Sequence, residues 1–545
     1  MTQTATDGEA RLAEQSGKDQ VFLKSGTKLE PLVCGWYAWS HLMAPAQHAM
    51  NVACRYIPLM QSFVMNPSVH VAATQDPKLF GGPFVSLAKS DVPQVKQLLA
   101  ETQRRCAELL TLANDLKALD GLLQDGANGH SLNEYYKKLP DSLKGLVELV
   151  YDTNNHPKLR LIEELLYDDD LSAESQEISL SSLDEGERTF FMSTPRLQSP
   201  QNLILKMRFS DKRLDKLAAT RTQPHSLKAL ADQFEVPEEN LPLFASFFTS
   251  EAPARNEHQY VGNGVRVRYF GHACVLVQTD EVSILIDPML AWDTHHNDQR
   301  YTFNDLPDFI DYVILTHNHQ DHCSPEMLLQ LRHRVGKVVI PRNNAGCIAD
   351  PSMKLILKQM GFENIEVVDA FDEIKVPGGA IVSLPFPGEH VDLDIYTKHA
   401  IHIRIKERKL LFLVDSDCWD SALYRRVVRR IGNEMDAVFI GMECFGAPLT
   451  WLYGPLLTKA ISRRDDESRR LSGANFERAW NVVQEVATPR VFVYAMGQEP
   501  WLRYIMGLEY TPESIQLQEM GAFLDKCNQA GIEAQQLNIS SEMTL

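Results

Sequence analysis

A chain of 545 residues, 44% hydrophobic and 23% charged, is long enough for several domains around a sizeable core. Its formal net charge of −18 argues against generic binding to nucleic acid or an anionic membrane, whose phosphates need Lys and Arg. Nine scattered cysteines without a C-x-x-C pair support neither a disulfide framework nor a cysteine zinc site and point to a reducing compartment. The polar start "MTQTATDGEARLAEQSGKDQ" lacks the basic and apolar regions of a signal peptide, and no apolar run approaches the ~20 residues that span a bilayer. The expected location is the cytoplasm.

Residues 1–20 read as a disordered N-terminus and 21–250 as a mainly helical domain. Early in it, "CGWYAWSHLMAPAQHAMNVACRYIPLMQSFV" is rich in aromatics and methionine, a core or dimer-interface segment first and a pocket lid second. "VPQVKQLLAETQRRCAELLTLANDLKALDGLLQ" sets leucines at three-and-four spacing, which predicts an amphipathic helix or helix pair. "SLKGLVELVYD" and "KLRLIEELLYDD" read the same way, and the acidic, serine-rich "YDDDLSAESQEISLSSLDEGE" reads as a loop or insert.

Residues 251–545 switch to strands with interleaved helices: "VRVRYF", "CVLVQ", "VSILID", "YVILT", "KVVI", "IEVVD", "AIVSLPF", "IHIRI", "KLLFLVD", "AVFIGME" and "VFVYAM". The "KER" between "IHIRI" and "KLLFLV" is a hairpin-turn candidate. Asn475 is placed to cap "NFERAWNVVQEV", and Thr511 with Pro512 to start the last helix, which Gly531 ends. The expected class is α/β (α+β): sheets covered by helices, preceded by the helical domain.

The chemistry concentrates in "ILTHNHQDHCSP". His317 and His319 leave a strand two residues apart and point the same way, so they can share one metal. Asp321 and His322 follow in the turn and can reach a second metal. Imidazole suits Zn, Fe and Mn alike, so the loop does not choose the metal. Further ligands are expected at other strand ends. "IVSLPFPGEHVD" offers Glu389 or His390, and "KLLFLVDSD" offers Asp415, a carboxylate too costly to bury unless paired or metal-bound. Asp417 reads as a helix cap or surface group.

Residues ~260–510 resemble the metallo-β-lactamase fold, an αββα sandwich with metals at strand ends. The zinc hydrolases of that fold carry a last histidine near the end of the domain. Here the final histidine is His402, and "VFVYAMGQEPW" offers Gln498 and Glu499 instead. With Glu389 included, the set becomes three histidines and three carboxylates, which suits iron or manganese better than zinc. That set is similar to one branch, the metallo-β-lactamase-fold diiron β-hydroxylases of non-ribosomal peptide pathways, which also carry a long N-terminal domain.

The resemblance implies that His317, His319 and Glu389 hold one iron, that Asp321 and His322 hold the other, and that Asp415 bridges or binds beside them. It also implies O2 as co-substrate, an external electron donor or reductase, an aminoacyl thioester on a synthetase thiolation (carrier) domain as substrate, and a homodimer. The competing expectation is a dinuclear zinc hydrolase acting on a lactone, thioester or phosphodiester.

Other residues remain open between two roles. His272 in "FGHAC" orients a ligand or lines the site, or is structural. Glu443 in "IGMECFG" holds the substrate amine or serves a turn. His390 supports or replaces Glu389, and Trp292, His295 and His296 border the pocket or are exposed. The clusters Arg425–Arg430 and Arg463–Arg470 dock an acidic carrier domain or form solvated helix faces.

Overall fold

The computed structural model describes residues 19–168, 175–183, 188–255, 258–293, 299–507 and 509–545. The expected disorder before residue 19, the acidic part of the 167–187 segment and the His295–His296 loop fall outside these residues.

Two seven-stranded sheets form the second half. The first runs Ile365–Val368, Val335–Pro341, Ile310–Ile314, Ser283–Ile286, Cys274–Gln278, Arg266–Gly271 and Ser541–Thr544. The second runs Glu373–Val376, Gly379–Leu384, Ala400–Ile405, Arg408–Phe412, Ala437–Gly441, Arg490–Tyr494 and Glu533–Gln536. Alternating side chains make the layer between them: Val267, Val275, Val277 and Ile284 from one sheet meet Ile401, Ile403, Phe412 and Phe439 from the other. The opposite face of the second sheet packs against the helices Ser421–Ile431, Phe476–Glu485 and Ile515–Gln529. Lys406 and Glu407, at φ 45° and 65°, turn Ala400–Ile405 back into Arg408–Phe412, as the "KER" turn requires. Asn475 caps its helix through the Arg478 amide. The last helix starts later than Thr511: Ser514 is its N-cap, and the Ser514 hydroxyl instead accepts the Thr511 amide.

The N-terminal half packs on the outer face of the first sheet and shares its core, in which Leu29, Trp36 and Phe191 join Phe270, Leu276 and Leu285. The leucine-rich stretch is a pair of helices, Val92–Arg105 and Ala107–Gly126, broken at Cys106. The same half holds a four-stranded sheet that includes Thr27–Val33 and Gln176–Ser182, so part of the expected acidic loop is a buried strand. The helix expected over "SLKGLVELVYD" is the strand Val147–Tyr151, paired in a hairpin with Pro157–Leu161, and "KLRLIEELLYDD" starts in that second strand before turning into the helix Glu163–Asp168. Val147 and Leu149 alternate inward at period two, and Asp152 closes the turn by accepting the Asn154 and His156 amides. Leucines at mixed spacing satisfy both periods, and the Asx turn decides between them. No helix among the described residues is long and apolar enough to cross a membrane.

Candidate metal centre

The loop 317–322 begins where Ile310–Ile314 ends at the rim of the sandwich. It is held from below by Asp287, which stands one residue past Ser283–Ile286 in left-handed backbone, φ 40°, and is completely buried. Asp287 accepts the Thr316 amide at 2.7 Å and the Thr316 hydroxyl, and its Oδ2 lies 2.9 Å from Nδ1 of His322. Burial pushes the Asp287 carboxyl up from its ordinary value, against the pull of His322 and Thr316. This contact turns Nε2 of His322 toward the site. Ser324 then caps the helix Pro325–Leu331, which stops the loop.

Three groups of buried donors converge there. Glu389 Oε1 stands 2.6 Å from His319 Nδ1, and its Oε2 stands 3.4 Å from His317 Nε2. Asp415 Oδ2 lies 2.9 Å from His322 Nε2 and 3.7 Å from His317 Nε2, between the other two groups. Asp321 Oδ2 lies 3.5 Å from His322 Nε2 and 3.0 Å from His272 Nε2. His272 thus joins Asp321 and His322 in a group that could hold a metal ion. Its tight turn is set by Gly271, φ 110°, where a Cβ would meet Trp501 at 2.7 Å. Glu499 accepts the His272 amide at 2.7 Å together with the Tyr269 hydroxyl. Glu499 therefore holds that turn instead of standing in for a missing histidine.

The carboxylates are placed by strain and by absent side chains. Gly388, Glu389, Val391 and Asp392 all have positive φ, and a Cβ on Gly388 would lie 2.5 Å from Asp417 Cβ. A Cβ on Gly441 would lie 2.6 Å from the Val414 carbonyl and 2.7 Å from Asp415 Oδ1. His390 stacks on His319 with ring centroids 4.4 Å apart and belongs to none of the donor groups. Tyr453 lies with its hydroxyl 3.0 Å from His319 Nε2, fixing the ring from behind. Asp417 is neither cap nor surface group: it is fully buried, 2.9 Å from Arg478 Nε, with burial raising its carboxyl to about 6. The cap is Asp420, which accepts the Ala422 amide. Asp287 carries in the sequence the same signal as Asp415, an acid just past an apolar strand; Tyr453 carries no such signal.

Glu443 lines the cavity over these donors with Gln320, Trp451, Leu471 and Met506. Burial, with Asp415, Asp321 and Glu389 nearby, pushes its carboxyl well above the ordinary value. The N-terminal half packs against the loop and against residues around the cavity. Ser40 Oγ bonds the Asn318 carbonyl, the His41 ring stands 5.8 Å from that of Tyr453, and Trp451 donates to the Gly81 carbonyl. Tyr37 donates to Glu326 at 2.9 Å, and Arg188 joins Glu326 to Glu30 at 2.9 and 2.8 Å. Trp292 packs on Phe303 in the core and does not border the cavity. In the basic clusters, Arg425 pairs with Glu485 and Arg470 with Glu467, while Arg426, Arg429 and Arg464 are exposed.

The donors fit a pair of metal ions. His317 Nε2, Glu389 Oε2 and Asp415 Oδ1 are buried without a hydrogen-bond partner, which is costly unless a cation lies among them. Such a rim of histidines and carboxylates defines a dinuclear metalloenzyme on an αββα sandwich. The family model for the diiron non-heme beta-hydroxylase N-terminal domain matches residues 22–253, and a beta-lactamase superfamily domain matches 266–391. The 4-amino-L-phenylalanyl-[CmlP-peptidyl-carrier-protein] 3-hydroxylase of Streptomyces venezuelae is 35% identical over 500 residues, 90% of this chain and 93% of that protein. The crystal structure of CmlA, a diiron beta-hydroxylase from the same organism, is similar over 96% of this chain and 99% of that one, with a TM-score of 0.90 at 32% identity. A UPF0173 metal-dependent hydrolase of Oenococcus oeni is 29% identical, but over only 15% of this chain and 32% of that protein. The chain belongs to the diiron non-heme β-hydroxylase family.

Proposed function

We propose that this enzyme uses two iron ions and O2 to hydroxylate the β-carbon of an amino acid held as a thioester on the thiolation domain of a non-ribosomal peptide synthetase. The observation that carries the reading is the hydroxylase likeness along nearly the whole chain, together with the buried donors at its metal rim. The S. venezuelae relative acts on an aminoacyl carrier protein. A zinc hydrolase is disfavoured because no histidine follows His402.

In this reading His317, His319 and Glu389 hold one iron, Asp321, His322 and His272 hold the other, and Asp415 lies between. Bound there, the iron pair supplies oxygen activation and the transfer of one oxygen atom, with electrons from an external reductase. The chain's own residues do the rest. Asp287 and Tyr453 orient His322 and His319. Glu443 holds the substrate ammonium above the metals. Trp451, Leu471 and Met506 give the side chain an apolar wall and exclude water. The exposed arginines of Ser421–Ile431 meet the acidic carrier domain. Location in the cytoplasm and a homodimer belong to the same reading, the latter checked by sedimentation equilibrium.

The test is iron analysis of the purified protein followed by reaction with aminoacyl carrier domains, reductant and O2. Two irons per chain and a product heavier by one oxygen, labelled from 18O2, are expected. Stoichiometric zinc from iron-replete cells, with ester hydrolysis and no oxygen incorporation, refutes the proposal.

A further inference from the structure

A second reactive cluster lies in the N-terminal half, apart from the metal rim. Thr27–Val33 and Trp36–Tyr37 pair with Val33 opposite Trp36, leaving Cys34 and Gly35 as the two-residue turn. Both have positive φ, 50° and 76°. Such a turn favours Asn-Gly or Asp-Gly, because a side chain other than these strains left-handed backbone. The turn aims the Cys34 sulfur at Cys106, the break between the helices Val92–Arg105 and Ala107–Gly126, with 3.2 Å between the sulfurs.

His48, from the helix Pro45–Asn51, completes the group. Its ring faces Cys34, and neither ring nitrogen forms a well-aligned hydrogen bond, although the residue is 1% exposed. The bond from Cys106, with His48 and Arg105 beyond it, holds the Cys34 thiol well below its ordinary value. The same bond and burial push Cys106 up. The two sulfurs are thus coupled, so that one can ionise while the other keeps its proton. A resident metal fits less well. Two thiolates on one tetrahedral zinc stand about 3.7 Å apart, given bonds of about 2.3 Å. The group also has three donors and no fourth among the described residues.

We propose that Cys34 and Cys106, assisted by His48, form a dithiol that reduces hydrogen peroxide. The Cys34 thiolate attacks one peroxide oxygen, the O–O bond breaks, and Cys34 becomes a sulfenic acid. The departing hydroxide takes the Cys34 proton kept on His48 and leaves as water. The Cys106 thiol then attacks the Cys34 sulfur, forming the disulfide and releasing a second water. Two thiols give two electrons, one peroxide becomes two waters, and an external dithiol restores the pair. Both sulfurs are covered, Cys34 at 2% and Cys106 at 1% exposed, which favours a small oxidant such as peroxide over a bulky one. The turn also starts the segment that carries Tyr37 and Ser40 onto Glu326 and Asn318, so the pair sits at the root of the metal loop's cover.

The experiment titrates the iron-loaded full chain with hydrogen peroxide, blocks remaining thiols after denaturation, and maps peptides without reduction. One peptide pair joined through Cys34 and Cys106 is expected, lighter by two hydrogens, reversed by dithiothreitol, with the other cysteines still blocked. Cys106→Ser is expected to leave Cys34 as a sulfenic acid that dimedone traps when the oxidised chain is denatured in its presence, and His48→Ala to slow the linkage at least tenfold. Cys34→Asn suits the turn, so it is expected to fold and to lose the linkage. All nine cysteines blocked after oxidation overturns the proposal. So does linkage at other positions, or a third metal ion that Cys34→Asn alone releases.

Discussion

The sandwich and the N-terminal half divide the labour of the metal centre unequally. Among the described residues, every donor grouped at the rim, from His272 to Asp415, comes from the sandwich, and the N-terminal half contributes none. What that half contributes is the cover: Tyr37, Ser40 and His41 seat against the loop and its surroundings, and Arg188 ties Glu30 to Glu326. The likenesses divide in parallel. A metal-dependent hydrolase matches 15% of the chain, whereas the hydroxylase matches 90%. Donors at a strand rim make a metal site; what encloses them sets which substrate reaches it and how dry it is.

The comparison breaks most readily at Asp415. Asp415→Ala removes the carboxylate that stands between His317 and His322 and is expected to leave at most one iron per chain by metal analysis and no detectable hydroxylation. Retention of two irons contradicts that placement. Next comes the seam. Arg188→Met leaves Glu326 buried without its cation and Glu30 with Arg196 alone, and is expected to cost about 3–5 kcal/mol in denaturant unfolding. One cooperative transition is expected to persist, because the two halves share a core; two separated transitions show a cover that folds independently.

Smaller effects sharpen the division within the sandwich. Asp287→Asn weakens the hold on His322 and is expected to lower iron affinity or turnover about 10–100-fold, read by chelator competition. Gly441→Ala presses on the Val414 carbonyl and Asp415, for a loss of about 1–3 kcal/mol in thermal or denaturant unfolding. Tyr453→Phe removes a single hydrogen bond to His319 and is expected to shift stability by about 1 kcal/mol, with both irons retained.

Legibility in the sequence follows locality. The loop 317–322, the strand before it and the acid past "KLLFLV" are each readable within a dozen residues, because strand period and donor spacing are local properties. Glu389 and His390 are not separable that way. Adjacent residues in a loop of repeated positive φ have no fixed facing, and the fold sends one to His319 and His317 and stacks the other behind. The Val147–Tyr151 hairpin reads as helix from its leucines for a related reason, since their spacing alone fits two periods.

By itself the sequence determined that a metal-binding loop leaves an apolar strand, that the sandwich has no histidine beyond His402, and that acids stand at several strand ends. Tertiary structure decided which of these meet. His272 and Asp287 arrive from two different strands to flank His322. Asp417, shortly past the strand Arg408–Phe412, is drawn inward to Arg478, and Cys34 finds Cys106 across 72 residues. Backbone propensity acts over a few residues, whereas burial and charge pairing act across whatever the fold brings together, so the partners of a buried polar group are settled only when the sheets close.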